Sequence, residues 1–158
     1  MIQQTTFQKL NTIVAWIVFT IATVVYGMTV EPTASLWDCP EFIACGYKLE
    51  IGHPPGAPIF MLAANLFSQF ASDTAHVALM VNLLSALLSA GCIFFLFLTI
   101  THLARKLICP ALDGMTKSDV IRIEACGVVG ALAYTFSERL GFFIVVCITY
   151  ICQGLCIQ

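Results

Sequence analysis

Apolar residues fall into four long stretches, about 13–30, 57–71, 77–104 and 120–136, and a fifth, about 140–157, ends the chain. Two polar connections interrupt them, 31–56 and roughly 105–122. A helix rises about 1.5 Å per residue, so crossing about 30 Å of hydrocarbon takes roughly 20 apolar residues. The first and third stretches meet that length. The fourth is short, and it crosses only if Arg122 and Glu124 sit at the interface. The pattern predicts an all-α integral membrane protein with spans at about 13–30, 77–104 and 120–136.

The second stretch is too short for a comfortable span. Asn65, Ser68, Gln69 and Ser72 recur at i, i+3, i+4 and i+7, one polar stripe on an apolar helix. Such a helix can lie flat in the interface, or bury its stripe against other helices. Charge favours the flat placement. The connection 31–56 carries Glu31, Asp38, Glu41 and Glu50 against Lys48, whereas the second connection carries Arg105, Lys106, Lys117 and Arg122. Basic loops stay in the cytoplasm. A flat helix at 57–71 puts the acidic connection outside, and the basic one inside with Lys9. Asn82, Ser85 and Ser89 share a face expected to point into a bundle, and Gly127 and Ala131 give the next helix a small-residue face.

Composition agrees. The chain is 59% hydrophobic and 10% charged, against about 45–50% and about 25% for soluble domains. No basic patch with interleaved aromatics points to nucleic acid. Of eight cysteines, most lie in apolar runs; Cys39 and Cys45 lie outside the spans and read as free thiols. No metal-ligand spacing is present, and no metal is expected. The apolar stretch from Ile13 to about Val30 is too long for a signal peptide core.

Candidate chemistry concentrates in the acidic connection. Pro40 suits the first turn of a helix, which places Asp38 and Cys39 at the cap, Glu41 in the first turn and the helix end near Leu49. His53-Pro54-Pro55-Gly56 then turns the chain before a helix starting at Pro58. Two roles stay open for Asp38 and Glu41. One is capping by Asp38 with a solvated Glu41. The other is a carboxylate used as a base or cation ligand beside the membrane. His53 is either a structural histidine or a donor to a phosphate. Lys48 either snorkels or meets an anionic head group. Trp37 and Tyr47 fit an interfacial aromatic belt. His76 and His102, at the two ends of the third stretch, read as structural.

The run TASLWDCPEFIACGYKLEIGHPPGAPIFMLAANLFS, followed by VNLLSALLSAG, resembles bacterial members of domain of unknown function 2723. These are similar to protein O-mannosyltransferases of the GT-C type of membrane glycosyltransferases. The W-D-C-x-E-F and G-H-P-P-G-A-P motifs carry the resemblance, which covers about Ile13 to Ser137. It implies the N-terminal part, 1–137, of a multi-span bundle whose external first loop bears interfacial helices, set in the inner membrane with 31–56 on the periplasmic side. It implies transfer of a sugar, mannose by analogy, from a polyprenyl-phosphate donor to Ser or Thr of a translocated protein. By the same resemblance Asp38 is the base, Glu41 its acidic partner, and His53 lies in the H-P-P turn. The lipid-linked sugar is a donor substrate, and no cofactor is implied.

The resemblance breaks at 138–158, which is expected to be a divergent hydrophobic tail, a shifted reading frame being one source. Such a fragment would be inactive alone. Two other functions stay open: a non-catalytic multi-span protein acting through helix packing, and a piece of a transporter. The near absence of ionisable residues within the spans argues against the transporter.

Overall fold

A computed structural model describes residues 4–34, 38–52, 57–109 and 115–137. Over these residues the fold is all α: α1 (Gln4–Thr29), α2 (Cys39–Lys48), α3 (Pro58–Ser68), a 3-10 turn at Thr74–His76, α4 (Val77–Ile108) and α5 (Lys117–Thr135). The tail 138–158 and His53 lie outside the described residues. The described residues divide into two units, one formed by those up to Val25 and from Ala90 to Ser137, the other by Tyr26–Ser89.

In the first unit α1 buries Phe7, Ala15, Val18 and Ala22 at three- and four-residue spacing. Thr12, Thr20 and Thr23 each return a hydroxyl to the carbonyl four residues back, at 2.8–2.9 Å. That keeps polar atoms satisfied inside an apolar helix. Phe7, Met115, Val120 and Ile123 form one core cluster. Phe97 and Ile93 of α4 and Ala131 of α5 are fully buried. The expected small-residue face is real: a Cβ on Gly127 would lie 2.5 Å from Thr101 Cγ2 and 2.8 Å from Phe97 Cε2. Large apolar residues also face outward on α1, including Ile13, Trp16, Ile17, Ile21 and Val24.

Among the described residues two helices are long and apolar enough to cross a membrane, Thr5–Thr29 and Thr74–Ile108. They coincide with the expected spans at 13–30 and 77–104. The expected span at 120–136 falls on α5, whose first turns hold Lys117, Asp119, Arg122 and Glu124. It is not one of the two. At 11 residues, α3 extends about 16 Å, half of what a crossing needs.

In the second unit α2 packs on α3. Ile43 of α2, Ala64 of α3, and Val77, Val81 and Leu84 of α4 make its core, with Phe60, Phe67 and Ala71 against them. Phe42 and Phe60 meet edge to face at 5.8 Å. The first half of the polar stripe turns inward. Asn65 Nδ2 donates to the Tyr47 carbonyl at 2.9 Å, and Ser68 is buried, donating to the Asn65 carbonyl at 2.6 Å. The outward face of α3 is Ile59, Leu62, Leu66 and, just beyond it, Phe70, all exposed. Asn65 and Ser68 thus face the protein, while Gln69 and Ser72 are exposed. The reason is that the C-terminal carbonyls of α2 need donors, and Asn65 supplies one.

Candidate functional site in the acidic connection

The second unit's described charges are Glu31, Asp38, Glu41, Glu50 and Asp73 against Lys48. α2 organises the middle of this acidic stretch. It starts as Pro40 predicts, with the proline in the first turn and Glu41 beside it. Asp38 occupies the N-cap position, and its carbonyl accepts from the Phe42 N–H at 3.0 Å. Its side chain, however, makes no capping hydrogen bond. Capping by the Asp38 carboxylate, one of the two roles open from sequence, is therefore not what holds this helix start. The backbone at Asp38 is already near-helical, φ −78° and ψ −3°, and that geometry aims its side chain away from the N–H groups a capping residue must reach. The carboxylate is exposed.

Glu41 is half-buried, and it lies against the chain on the far side of α2. A Cβ built on Gly52 would sit 3.3 Å from Glu41 Oε1 and 3.6 Å from Met61 Cε. The Glu41 carboxylate thus meets the backbone immediately before His53. Lys48 is exposed in the last turn of α2. Ten residues of helix separate it from Asp38 by about 15 Å along the axis. The structure therefore gathers Asp38, Glu41 and Gly52 at one end of α2, and leaves Lys48 at the other.

Cys39 and Cys45 are free thiols. His76 lies 3.9 Å from Asp73 in an exposed pair. No group of three or more His, Cys, Asp or Glu that could hold a metal ion occurs among the described residues.

Asn82 is the residue whose role the sequence misplaced. Of the face expected to point into a bundle, Ser89 is buried, while Asn82 serves the acidic connection. From the second turn of α4 its Nδ2 donates to the carbonyls of Glu31 at 2.8 Å and Thr33 at 3.0 Å. Its Oδ1 lies 3.8 Å from Cys39 Sγ, in reach of a thiol hydrogen bond. Ser85, predicted on the same face, returns its hydroxyl to the Val81 carbonyl of its own helix at 3.3 Å. Partners 43 to 51 residues away leave no periodic signal. The one legible hint is Pro32, which strands neighbouring carbonyls in an extended segment.

The model of the protein O-mannosyl-transferase TMEM260 N-terminal domain matches residues 38–157. That range takes in Asp38, Glu41, Lys48 and His53, and also the segment after Ser137 that the motif comparison set apart. A protein O-mannosyl-transferase tmem260 of Dictyostelium discoideum is 31% identical over 128 residues, which cover 80% of this chain and 14% of the relative. The chain thus spans only a small part of that relative's length. No solved structure matches the chain. With the domain match extending over most of its length, the chain belongs to the protein O-mannosyl-transferase TMEM260 family.

Proposed function

We propose that this chain is the N-terminal membrane part of a GT-C type protein O-mannosyl-transferase, and that the connection between α1 and α4 carries its chemistry. The observation behind this reading is Asp38. It stands at the start of α2, exposed, with no side-chain bond to the helix it begins. An exposed carboxylate that caps nothing keeps its oxygens free to accept a proton.

In the proposed step a Ser or Thr hydroxyl oxygen attacks the anomeric carbon of a polyprenyl-phosphate mannose. The new C–O bond forms as the bond from that carbon to the phosphate oxygen breaks. The polyprenyl phosphate leaves with the electron pair, and Asp38 accepts the hydroxyl proton. Glu41, against Gly52, is the acidic partner, and His53 meets the donor phosphate; Lys48, at the other end of α2, takes no part in this step and meets an anionic lipid head group. No step is assigned to a metal or cofactor.

α1 and α4 cross the membrane in this reading, and the acidic connection lies on the non-cytoplasmic side, with lipid against the outward face of α3. Support comes from the exposed Ile59, Leu62, Leu66 and Phe70, since contiguous apolar surface of this kind is rarely left to water. The scarcity of Lys and Arg before Arg105, Lys48 alone from 31 to 104 against Arg105, Lys106, Lys117 and Arg122 after it, points the same way.

The test is Asp38→Asn in the full-length protein, assayed for mannose transfer from polyprenyl-phosphate mannose to a Ser/Thr acceptor peptide. Loss of the base should lower transfer by about 10²–10⁴-fold. Transfer at the native rate would remove Asp38 from the mechanism and leave helix packing as the better account of the chain.

A further inference from the structure

We infer that Asn82 is a positioning residue that fixes the chain on both sides of Asp38; this rests on the reading of Asp38 as the base. A side-chain amide offers two N–H donors and one carbonyl acceptor. In Asn82 the amide nitrogen donates to the carbonyls of Glu31 and Thr33. The amide oxygen faces the thiol of Cys39. The first two contacts hold the chain before Asp38, and the third holds it one residue after.

The segment needs such help. Pro32 has no N–H and keeps Glu31 out of the helical region, so the carbonyls around it have no helical partner. Glu31, Pro32 and Thr33 are exposed, so water can serve these carbonyls, but water does not fix where the chain lies. Asn82 brings the donor from a rigid element. Its neighbours Val81 and Leu84 are 2% and 5% exposed and pack in one core with Ile43 of α2. The clamp and the helix that Asp38 begins are therefore both held by the first turns of α4.

The geometry separates positioning from plain stability. Val81 and Leu84 carry the packing of this stretch of α4, and Asn82 carries the contacts to the connection. Asn82→Leu keeps the branching at Cγ and removes all three contacts. Asn82→Asp keeps the shape and removes the donors. Both are made in the full-length protein beside Asp38→Asn. Melting temperature, kcat and KM for the lipid-linked donor, and the rate of Cys39 alkylation by N-ethylmaleimide, read by mass spectrometry, are measured for each.

A misplacement of about 1 Å costs on the order of 10²-fold in rate, so kcat should fall by roughly that factor in Asn82→Leu. KM should hold, the melting temperature should stay near native, and Cys39 should react several times faster. Asn82→Asp turns a carboxylate oxygen toward both carbonyls, and its kcat should fall at least as far as that of Asn82→Leu. Native kcat, unchanged Cys39 reactivity or a rise confined to KM would each overturn the inference. So would loss of folding in both variants, because it would show a structural role. The Asp38→Asn arm separates the two failures: native transfer there overturns the base, whatever the Asn82 variants do, while lost transfer there with a native Asn82→Leu overturns the clamp alone.

Discussion

Gly46 of α2 and Ala64 of α3 meet so closely that a Cβ added at Gly46 would lie 2.7 Å from the Ala64 methyl. No real Cβ pair tolerates that distance, and neither atom is the end of a flexible chain. The closeness brings α2 against α3 and lets Ile43 and Ala64 share a core with α4. Gly46→Ala should therefore destabilise. Its gain in helix propensity is about 1 kcal/mol, and overpacking costs about 1–3 kcal/mol. A net loss on the order of 1 kcal/mol is expected in detergent thermal unfolding. Adding Ala64→Gly should recover part of it. A double variant no more stable than Gly46→Ala alone would show that the contact is not what sets the spacing.

That contact also marks where sequence reading stops. The long apolar helices and the start of α2 are legible because each follows from local chemistry: run length for α1 and α4, the fixed proline angle for Pro40. Gly127 and Ala131 are legible because their spacing lies within one helix. Gly46 sits in Cys-Gly-Tyr, where nothing local marks it, and its partner is 18 residues on. The stripe of α3 shows the same limit. Its periodicity is plain in the sequence, but its direction is set by the Tyr47 carbonyl that Asn65 serves. The Asp38 region was legible as a helix start with acids. The clamp from Asn82 was not, because it acts on backbone carbonyls, which every residue carries.

Leu49 closes α2 in the left-handed conformation, φ 55° and ψ 41°, and Glu50 N–H returns to the Cys45 carbonyl at 2.9 Å. It has the one positive φ among described non-glycine residues. A leucine there costs on the order of 1–2 kcal/mol, and glycine adopts the angle freely. The side chain is 54% exposed, so little packing is lost on its removal. Leu49→Gly should raise stability by about 1 kcal/mol, seen as a higher melting temperature. A lower one would show that the Leu49 side chain is held by lipid or by a partner.

α5 begins with a capping box. Thr116 Oγ1 accepts from the Asp119 N–H at 3.3 Å, and Asp119 Oδ2 accepts from the Thr116 N–H at 3.1 Å. Thr116→Ala should cost about 1 kcal/mol. Hydrogen bonds from the Thr116 hydroxyl, then from its backbone, and the charge of Arg122 hold the Asp119 carboxyl below its usual value of 3.8. The sign follows from that direction. The folded state favours the ionised form, so the stabilisation is complete above the unfolded value and is lost as pH falls through the folded one. Melting temperature should drop on acidification below about pH 4, and less in Asp119→Asn. An equal drop in both would remove the box as the cause.

Glu124 presents the opposite case. It lies in the buried stripe of α5 between Val120 and Gly127, and it is 9% exposed. Neither carboxyl oxygen has a hydrogen-bond partner among the described residues. A buried polar group left without a partner costs about 1–3 kcal/mol. An apolar residue of similar volume removes that cost and keeps the packing. Glu124→Met is therefore expected to stabilise the protein by about 1–3 kcal/mol, read as a higher melting temperature in detergent. Glu124→Gln should gain less, because its amide is polar too. If Glu124→Met melts lower than the native protein, the carboxyl has a partner whose loss outweighs the burial cost. That partner would then lie in a segment beyond the described residues, and loss of mannose transfer in the same variant would tie it to the reaction.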